Sequence, residues 1–258
     1  MPWRKLGEPW RGLGRSVGAP VGGAVDYKTK ILGLFGSANI QTLPLDETSG
    51  TNANDISPQN NDGTYFSVDL ANADAPSGIG GKCPYMDGGN EYVTAYSAGL
   101  ASDFNGAEGS LFVWMKVENA GVWTDGRFHR VALFKHNASG QGVGIFKQNT
   151  NNTIRFFRTD SVGTKTRDTT IIGGNTAWNL VVLTWSVSNN RLRGYVNNAQ
   201  VGADVTSLAA ITQTIDQGGI GGIDNSNLEW QGWLSYSTLL NREATLPEIQ
   251  AIYAKGIG

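Results

Sequence analysis

The sequence is poor in the residues that most catalytic and metal sites require. Among its 258 residues there is one cysteine, Cys83, and there are two histidines, His129 and His136. A single cysteine excludes an internal disulfide and a cysteine-based zinc site, and a lone thiol usually packs as a small buried hydrophobic group. Neither histidine lies in a nucleophile-elbow motif, so both are predicted to be surface or hairpin-end residues.

The chain also lacks a strong charge and long apolar runs. Its formal net charge is −2, so no global field attracts nucleic acid or an anionic membrane surface. No stretch approaches the length of a transmembrane helix, and the basic start of the chain is not followed by the apolar run of a signal peptide. We therefore expect no membrane insertion, and release by lysis, as in a virus particle, rather than ordinary secretion.

What the chain has in abundance is typical of an all-β protein. It contains 35 glycines and eight tryptophans, and 40% of its residues are hydrophobic. Short runs of strand-like composition alternate with Gly, Asn and Asp turns. The predicted strands are 31–35, 64–68, 91–95, 111–117, 131–135, 143–147, 153–158, 166–172, 178–187, 191–196, 219–223 and 230–240.

Residues 178–202 show the clearest hairpin pattern. Val181, Leu183 and Trp185 repeat at period two, and a second alternating run follows the turn pair Asn189-Asn190. Another asparagine pair, at 197 and 198, ends that run. Such alternation is typical of half-buried antiparallel strands, and asparagine tolerates the positive φ of tight turns.

One helix is clearly indicated, at the carboxyl end of the chain. Thr245 and Glu248 match a capping box, and Pro247 occupies the tolerated first turn. Gly256 is predicted to end the helix. The apolar stripe that follows the cap consists of Ile249, Ile252 and Tyr253.

The amino-terminal residues form a short tandem repeat. Residues 2–7 read PWRKLG and residues 9–14 read PWRGLG, and a Gly/Ala/Val-rich stretch over 16–26 resembles a linker. Proline and glycine in each unit exclude a helical heptad, and an extended arm cannot bury its own aromatic side chains. We expect this arm to dock either on its own domain or on a partner. Its predicted anchoring residues are Trp3, Arg4, Leu6, Trp10, Arg11 and Leu13.

Three segments resemble the laminin-G-like, concanavalin-A-like family. They are 43–65, which contains LPLDETSG; 110–116, SLFVWMK, together with the 178–202 hairpin; and 231–253, which runs from QGWLSYSTLLNR into the capped helix. The resemblance implies an all-β, two-sheet antiparallel jelly-roll sandwich over 30–258, with one short C-terminal helix and an extended arm and linker over 1–29. This fold carries lectins, adhesion modules, glycosidase appendages and virion proteins, so it does not by itself define a function.

A loop near the start is a candidate calcium site. Asp46, Asp55, Asn60 and Asp62 supply the carboxylate and amide oxygens that calcium prefers, and the resemblance favours a structural calcium ion. The alternative is that these side chains form turns by bonding their own backbone.

Sugar binding requires aromatic faces flanked by polar groups. The best such loop contains Trp123, Asp125 and Arg127, with Asn137 further along, and Trp233 is a second candidate. The alternative for Trp123 is local packing.

Three functions remain open. The leading prediction is a non-catalytic virion structural protein, a bacteriophage capsid or tail decoration protein on the particle surface. Its arm would bind other virion proteins, and it would form a homo-oligomer. The alternative is a carbohydrate-binding, host-adhesion module. A glycoside hydrolase is third, because no strand carries the alternating carboxylates that its glucanase relatives use.

Overall fold

Two antiparallel β-sheets form the body of the protein. The computed structural model describes residues 25–150, 152–171, 175–224 and 228–258. In chain order its elements are α1 (Tyr27–Phe35), β1 (Asn39–Leu43), β2 (Asn52–Ala53), β3 (Gly63–Phe66), β4 (Asp69–Asp74), β5 (Lys82–Asp87), β6 (Tyr92–Thr94), α2 (Ala98–Asp103), β7 (Glu108–Val117), β8 (His129–Lys135), β9 (Gly142–Lys147), β10 (Thr153–Asp160), β11 (Gly163–Thr170), β12 (Asn179–Ser186), β13 (Arg191–Val196), β14 (Ala199–Gln200), β15 (Gln217–Ile220), β16 (Gln231–Leu240) and α3 (Leu246–Ile257).

The strand order defines two sheets, named here sheet A and sheet B. In sheet A the order is β14-β13-β12-β7-β16-β5-β4, and β1 pairs with β16. In sheet B the order is β11-β10-β9-β8-β15-β6-β3-β2. The predicted two-sheet antiparallel sandwich with a short C-terminal helix is confirmed.

The main core lies between the sheets. In the β12–β13 hairpin, Val181, Leu183 and Trp185 of β12 and Leu192 of β13 all enter this core, as their spacing predicts. Asn190 has a φ of 49°, the left-handed conformation that asparagine adopts more readily than most residues. The sequence therefore fixes both the turn and the buried face of this hairpin.

A second hydrophobic layer covers the outer face of sheet A. Trp114 of β7 donates an indole hydrogen bond of 2.7 Å to the hydroxyl of Tyr27 in α1, and its ring stacks on Tyr253 of α3 at 5.9 Å. Both helices therefore pack against this sheet. As a result, β12 is buried along its whole length.

Helix α1 replaces a predicted strand and part of the predicted linker. Asp26 caps it by accepting a 2.7 Å hydrogen bond from the Thr29 amide. Tyr27, Ile31 and Phe35 are buried at i, i+4 spacing, and burying each contributes about 1.5 to 3 kcal/mol. The strand prediction at 31–35 is wrong because this helical periodicity matches the apolar layer on sheet A.

The C-terminal helix follows its sequence signals at one end only. The capping box between Thr245 and Glu248 is confirmed. Gly256 does not end the helix, which continues through Ile257. A Cβ atom at Gly256 would lie 2.2 Å from the ring of Trp114, so this glycine is needed for close packing rather than for termination.

Three further predictions concern the amino-terminal arm, membrane-spanning helices and Cys83. The anchoring residues Trp3, Arg4, Leu6, Trp10, Arg11 and Leu13 lie outside the described residues. In the part of the chain that is described, no helix has the length and apolar character needed to cross a bilayer. Cys83 is fully buried, as predicted for a lone thiol.

Candidate functional site: an aromatic groove on sheet B

The outer face of sheet B carries a solvent-open groove lined mainly by apolar side chains. Its volume is about 280 Å³. Helices α1 and α3 pack on sheet A, on the opposite side of the sandwich. We call this feature the aromatic groove, and its lining residues are Phe128, Arg130, Leu133, Phe146 and Leu228.

The register of the sheet brings these residues together. Arg130 of β8 is paired with Phe146 of β9, so their side chains emerge side by side on the outer face. The rings of Phe128 and Phe146 meet edge to face at 6.4 Å, and Phe157 of β10 lies 4.8 Å from Phe146. Edge-to-face and tilted ring contacts are favourable arrangements, so the three rings support one another.

A glycine beside the groove makes room for one of these rings. Gly144 of β9 is paired with both Leu133 and Phe157. A Cβ atom at Gly144 would lie 2.4 Å from Cε1 of Phe157. The Phe157 ring therefore occupies the space next to Gly144, and any larger residue at this position would displace it.

Two ion pairs fix the polar groups of this face. Arg130 Nη1 lies 2.7 Å from Asp224 Oδ1. Arg155 of β10 donates two hydrogen bonds, of 2.7 and 2.6 Å, to Asp168 of β11, and these bonds raise the pKa of Arg155. Bidentate pairs hold both partners in one geometry, so the hydrogen-bonding groups beside the rings are held in place.

A buried ionic cluster lies behind the groove and consists of Asp125, His129 and Lys147. The side chains of His129 and Lys147 are fully buried. Asp125 accepts hydrogen bonds from Lys147 Nζ and, at 2.6 Å, from His129 Nε2. Although partial burial acts to raise it, the pKa of Asp125 is lowered by these bonds.

Both ring nitrogens of His129 have hydrogen-bond partners. Nδ1 lies 2.7 Å from the carbonyl oxygen of Glu229, while Nε2 faces the Asp125 carboxylate. The prediction that His129 is a surface or hairpin-end residue is wrong: it begins β8 and is buried, because this cluster supplies the polar partners that permit its burial.

The predicted glycan-binding residues do not come together. Trp123 is 1% exposed and belongs to the core, and its indole donates a 2.6 Å hydrogen bond to the carbonyl oxygen of Asn175. No face of this ring is open to a ligand, so the packing alternative is the correct one. Asp125 is committed to the ionic cluster rather than presented to solvent.

Two other predicted glycan-binding residues, Arg127 and Asn137, lie beyond opposite ends of β8. Arg127 Nη2 lies 3.4 Å from the carbonyl oxygen of Gly88, before the start of β8. Asn137 follows the other end of β8 and donates its amide to Asp216 at 2.6 Å. A seven-residue strand such as β8 is about 20 Å long, so these two side chains do not share one site.

Trp233 lies on the outer face of sheet A and is only partly exposed. Its indole donates a 2.9 Å hydrogen bond to Asn72 Oδ1, and the Lys116 ammonium lies 4.8 Å from the ring centroid. Tyr85 packs beside it at 5.3 Å. The ring therefore already has close partners within the chain.

The candidate calcium loop is organised by hydrogen bonds to its own backbone and side chains. Asp62 Oδ1 accepts a 2.7 Å bond from the Asp55 amide, Asn60 adopts a left-handed turn with a φ of 54°, and Asp46 is exposed. A carboxylate has about four lone-pair directions, and Asp55 uses that number within the loop. Its donors are the amides of Thr42, Ser57 and Asn61 and the hydroxyl of Ser57.

These bonds favour the turn alternative for Asp55. Within the described ranges, no group of three or more His, Cys, Asp or Glu side chains is arranged to hold a metal ion.

Sequence reasoning missed the groove residues, although a signal was present. In the predicted strand 143–147, Val143 and Ile145 enter the core, which places Phe146 on the outer face. A large aromatic residue at an outward position of a strand is the pattern that indicates a binding surface. The predicted strand 153–158 places Phe157 outward in the same way.

Comparisons with known proteins identify the fold. No family model and no curated protein matches the sequence. The receptor-binding domain of botulinum neurotoxin mosaic serotype C/D is similar in structure, with a TM-score of 0.65 at 13% identity; the match covers 85% of this chain and 51% of that one. The botulinum neurotoxin serotype D ligand-binding domain, solved with N-acetylneuraminic acid, gives 0.65 at 12% identity over 86% and 52%.

A sialidase from Trypanosoma rangeli, solved with sialic acid, gives a TM-score of 0.62 at 10% identity and covers 84% of this chain and 32% of the sialidase. This chain thus spans about half the length of the toxin domains and about a third of the sialidase. Identities this low establish a shared architecture and no more, so the laminin-G-like family itself remains a prediction. The chain shares its β-sandwich fold with toxin receptor-binding domains and with part of a sialidase.

Proposed function

We propose that this protein is a non-catalytic carbohydrate-binding module whose ligand lies in the aromatic groove. The observation that carries the proposal is the combination of an open sheet face, clustered aromatic rings and fixed charged groups at one place. Pockets that bind small ligands are mostly apolar and contain a few well-positioned polar groups. The aromatic groove has this composition.

The groove matches the two chemical faces of a sugar. The C–H face of a pyranose ring is apolar and packs against aromatic rings such as Phe128 and Phe146, while its hydroxyls form hydrogen bonds with guanidinium and carboxylate groups. Arg130 and Asp224 are already held by each other at 2.7 Å. Groups that are ordered before binding lose less entropy when the ligand arrives.

The structural comparisons support the same class of ligand. The serotype D toxin domain and the trypanosomal sialidase are named with sialic acid as their bound sugar. They favour carbohydrate binding over the virion role predicted first. That role, its protein partners and a homo-oligomer remain predictions, because the arm residues lie outside the described chain.

The carboxylates on this face support binding without catalysis. Glycoside hydrolysis generally needs one protonated acid and a second carboxylate placed across the bond to be broken. Asp168 and Asp224 are instead each paired with an arginine, so neither carboxyl group is presented as a free acid across an open cleft. We expect no sugar release from glycans that bind.

A glycan array followed by calorimetric titration tests the proposal. Phe146→Ala removes a ring that contributes about 1.5 to 3 kcal/mol when covered, and we expect it to weaken binding by about 10- to 150-fold. Trp233→Ala is the matched control on the other sheet and should bind as the parent protein does. Thermal unfolding of each variant verifies folding. No binding across a broad array, or unchanged affinity after Phe146→Ala, would refute the proposal.

A further inference from the structure

A second pair of aromatic rings lies on the same face as the groove. Phe66 of β3 is 54% exposed, the largest aromatic exposure among the apolar side chains described. It is paired across the sheet with Tyr92 of β6, and the two rings stack at 5.1 Å with an interplanar angle of 8°. We call Phe66 and Tyr92 the aromatic pair. Tyr92 covers one face of Phe66, and the other face is open to solvent.

The aromatic pair is continuous with the groove. Ile220 of β15 is paired with Val93 on one side and with Ala132 on the other. The residues that follow Ile220 therefore lie between Tyr92 and Arg130. A Cβ atom at Gly222 would lie 3.0 Å from Cβ of Tyr92, so this segment packs closely against the aromatic pair.

A polar segment separates the two aromatic sites. Asp224 is bonded to Arg130 of the groove. Burial, and then the negative charge of Asp224, raise the pKa of the Tyr92 phenol, which places that carboxylate near the aromatic pair as well. Across the strands, the surface therefore presents the aromatic pair, then the Arg130–Asp224 ion pair, and then the aromatic groove.

The strand order sets the length of this surface. From β3 the path crosses β6, β15 and β8 before it reaches β9. Neighbouring strands lie about 4.8 Å apart, so Phe66 and Phe146 are separated by four steps, or about 19 Å. One sugar ring cannot contact both sites, whereas a chain of sugars that runs across the strands can.

The charges along the path are balanced. Arg130 is paired with Asp224, and Arg155 with Asp168. An anionic sugar would have to compete with a carboxylate for either guanidinium, and it would also meet that carboxylate. A neutral sugar can form hydrogen bonds with both members of each pair and leave the pairs intact.

We infer that the ligand is a neutral, extended oligosaccharide that lies across the strands of sheet B and contacts both the aromatic groove and the aromatic pair. This inference rests on the proposed carbohydrate-binding function. It adds the length and charge of the ligand, and it assigns Phe66 to the binding surface.

Calorimetric titration with neutral ladders, from monosaccharide to hexasaccharide, tests the inference. The probes are β-1,4-linked oligosaccharides of glucose, xylose, mannose and N-acetylglucosamine, with sialyllactose as the anionic comparison. For the ladder that binds, affinity should rise with length until the chain reaches the aromatic pair. Phe66→Ala should then weaken hexasaccharide binding about tenfold, by loss of one aromatic contact, and leave disaccharide binding unchanged.

Two matched variants separate the possible results. Phe146→Ala should weaken binding of short and long chains alike. Leu246→Ala removes an apolar residue of similar exposure, 42%, from α3 on the other sheet, and should change neither. Because the Phe66 ring is mostly exposed, its removal should preserve the fold, which thermal unfolding checks.

The outcomes distinguish this inference from the proposed function. If disaccharides bind as tightly as hexasaccharides, if Phe66→Ala affects no chain length, or if sialyllactose alone binds, the inference is overturned while carbohydrate binding stands. If no glycan binds at all, the proposed function fails and the inference fails with it.

Discussion

Replacing Asp125 by asparagine removes the anion from the buried ionic cluster. In the parent protein this carboxylate accepts hydrogen bonds from Lys147 Nζ, from His129 Nε2 and, at 2.9 Å, from the Arg127 amide. The asparagine side chain has only one oxygen that can accept hydrogen bonds. Its NH2 group is itself a donor and would face Lys147 Nζ or His129 Nε2. The Lys147 ammonium, which has no solvent exposure, then remains with no counter-charge in the cluster, and His129 Nε2 loses its carboxylate partner.

The magnitude follows from the burial of the partners. His129 and Lys147 have side-chain exposures of 0%. Removing one member of a buried ion pair destabilises a protein by about 3 to 5 kcal/mol. For domains of roughly this size each kcal/mol lowers Tm by about 2 to 4 °C, so we expect Asp125→Asn to lower Tm by about 6 to 20 °C.

Scanning calorimetry and guanidinium unfolding at neutral pH measure this change. Asp74→Asn is the matched control, because Asp74 is paired with Lys82 at 2.8 Å but is 84% exposed, and such pairs contribute at most about 1 kcal/mol. Lys147→Met removes one cation and leaves Asp125 bonded to His129, so it should destabilise less than Asp125→Asn. A loss in Asp125→Asn no larger than that in Asp74→Asn would refute the reasoning about the cluster.

Two further predictions concern packing and acid stability. Gly256→Ala should lower the free energy of unfolding by about 1 to 3 kcal/mol, because the new methyl group clashes with Trp114, although alanine favours a helix. Gly33→Ala in α1, where nothing lies within 4 Å of the new Cβ, should raise the free energy of unfolding by about 1 kcal/mol. Denaturant unfolding of both variants checks that the two changes have opposite signs. The folded-state pKa of Asp125 is lowered, so its stabilisation is present in full above the ordinary aspartate pKa near 3.9 and is lost as pH falls through the folded value. The free energy of unfolding, measured as a function of pH, should therefore fall less between about pH 5 and pH 2 in Asp125→Asn than in the parent protein. If it falls equally steeply in both proteins, Asp125 is not a source of the acid sensitivity.

Local patterns predicted much of the sandwich. The period-two runs identify most of the strands, and Asn190 and the Thr245–Glu248 capping box occupy the conformations that their chemistry favours. Strands without such a pattern were missed: β4 has no buried residue, β5 contains Pro84, and every residue of β1 is buried regardless of polarity. In these strands the partner across the sheet, not intrinsic propensity, determines the structure.

The proposed binding surface could be predicted only in part. Alternation places Phe146 and Phe157 on an outward face, yet it does not say which outward faces are covered. The stripe of Tyr27, Ile31 and Phe35 folds as a helix on sheet A, and that packing leaves the open aromatic groove on sheet B. Trp123 shows the reverse error, since a polar loop sequence surrounds a ring that is buried.

The all-β class, the hairpin turns and the capped C-terminal helix could be predicted from the sequence, because each depends on residues close together in the chain. The location of the proposed binding surface depends on the tertiary structure. Phe66, Arg130 and Phe146 come to lie on one face through the strand order β3-β6-β15-β8-β9. His129 likewise can be buried only where Asp125 and the carbonyl of Glu229, one hundred residues away, supply its polar partners. Which distant strands pair depends on how their side chains pack against cross-strand neighbours, and intrinsic propensity does not specify this.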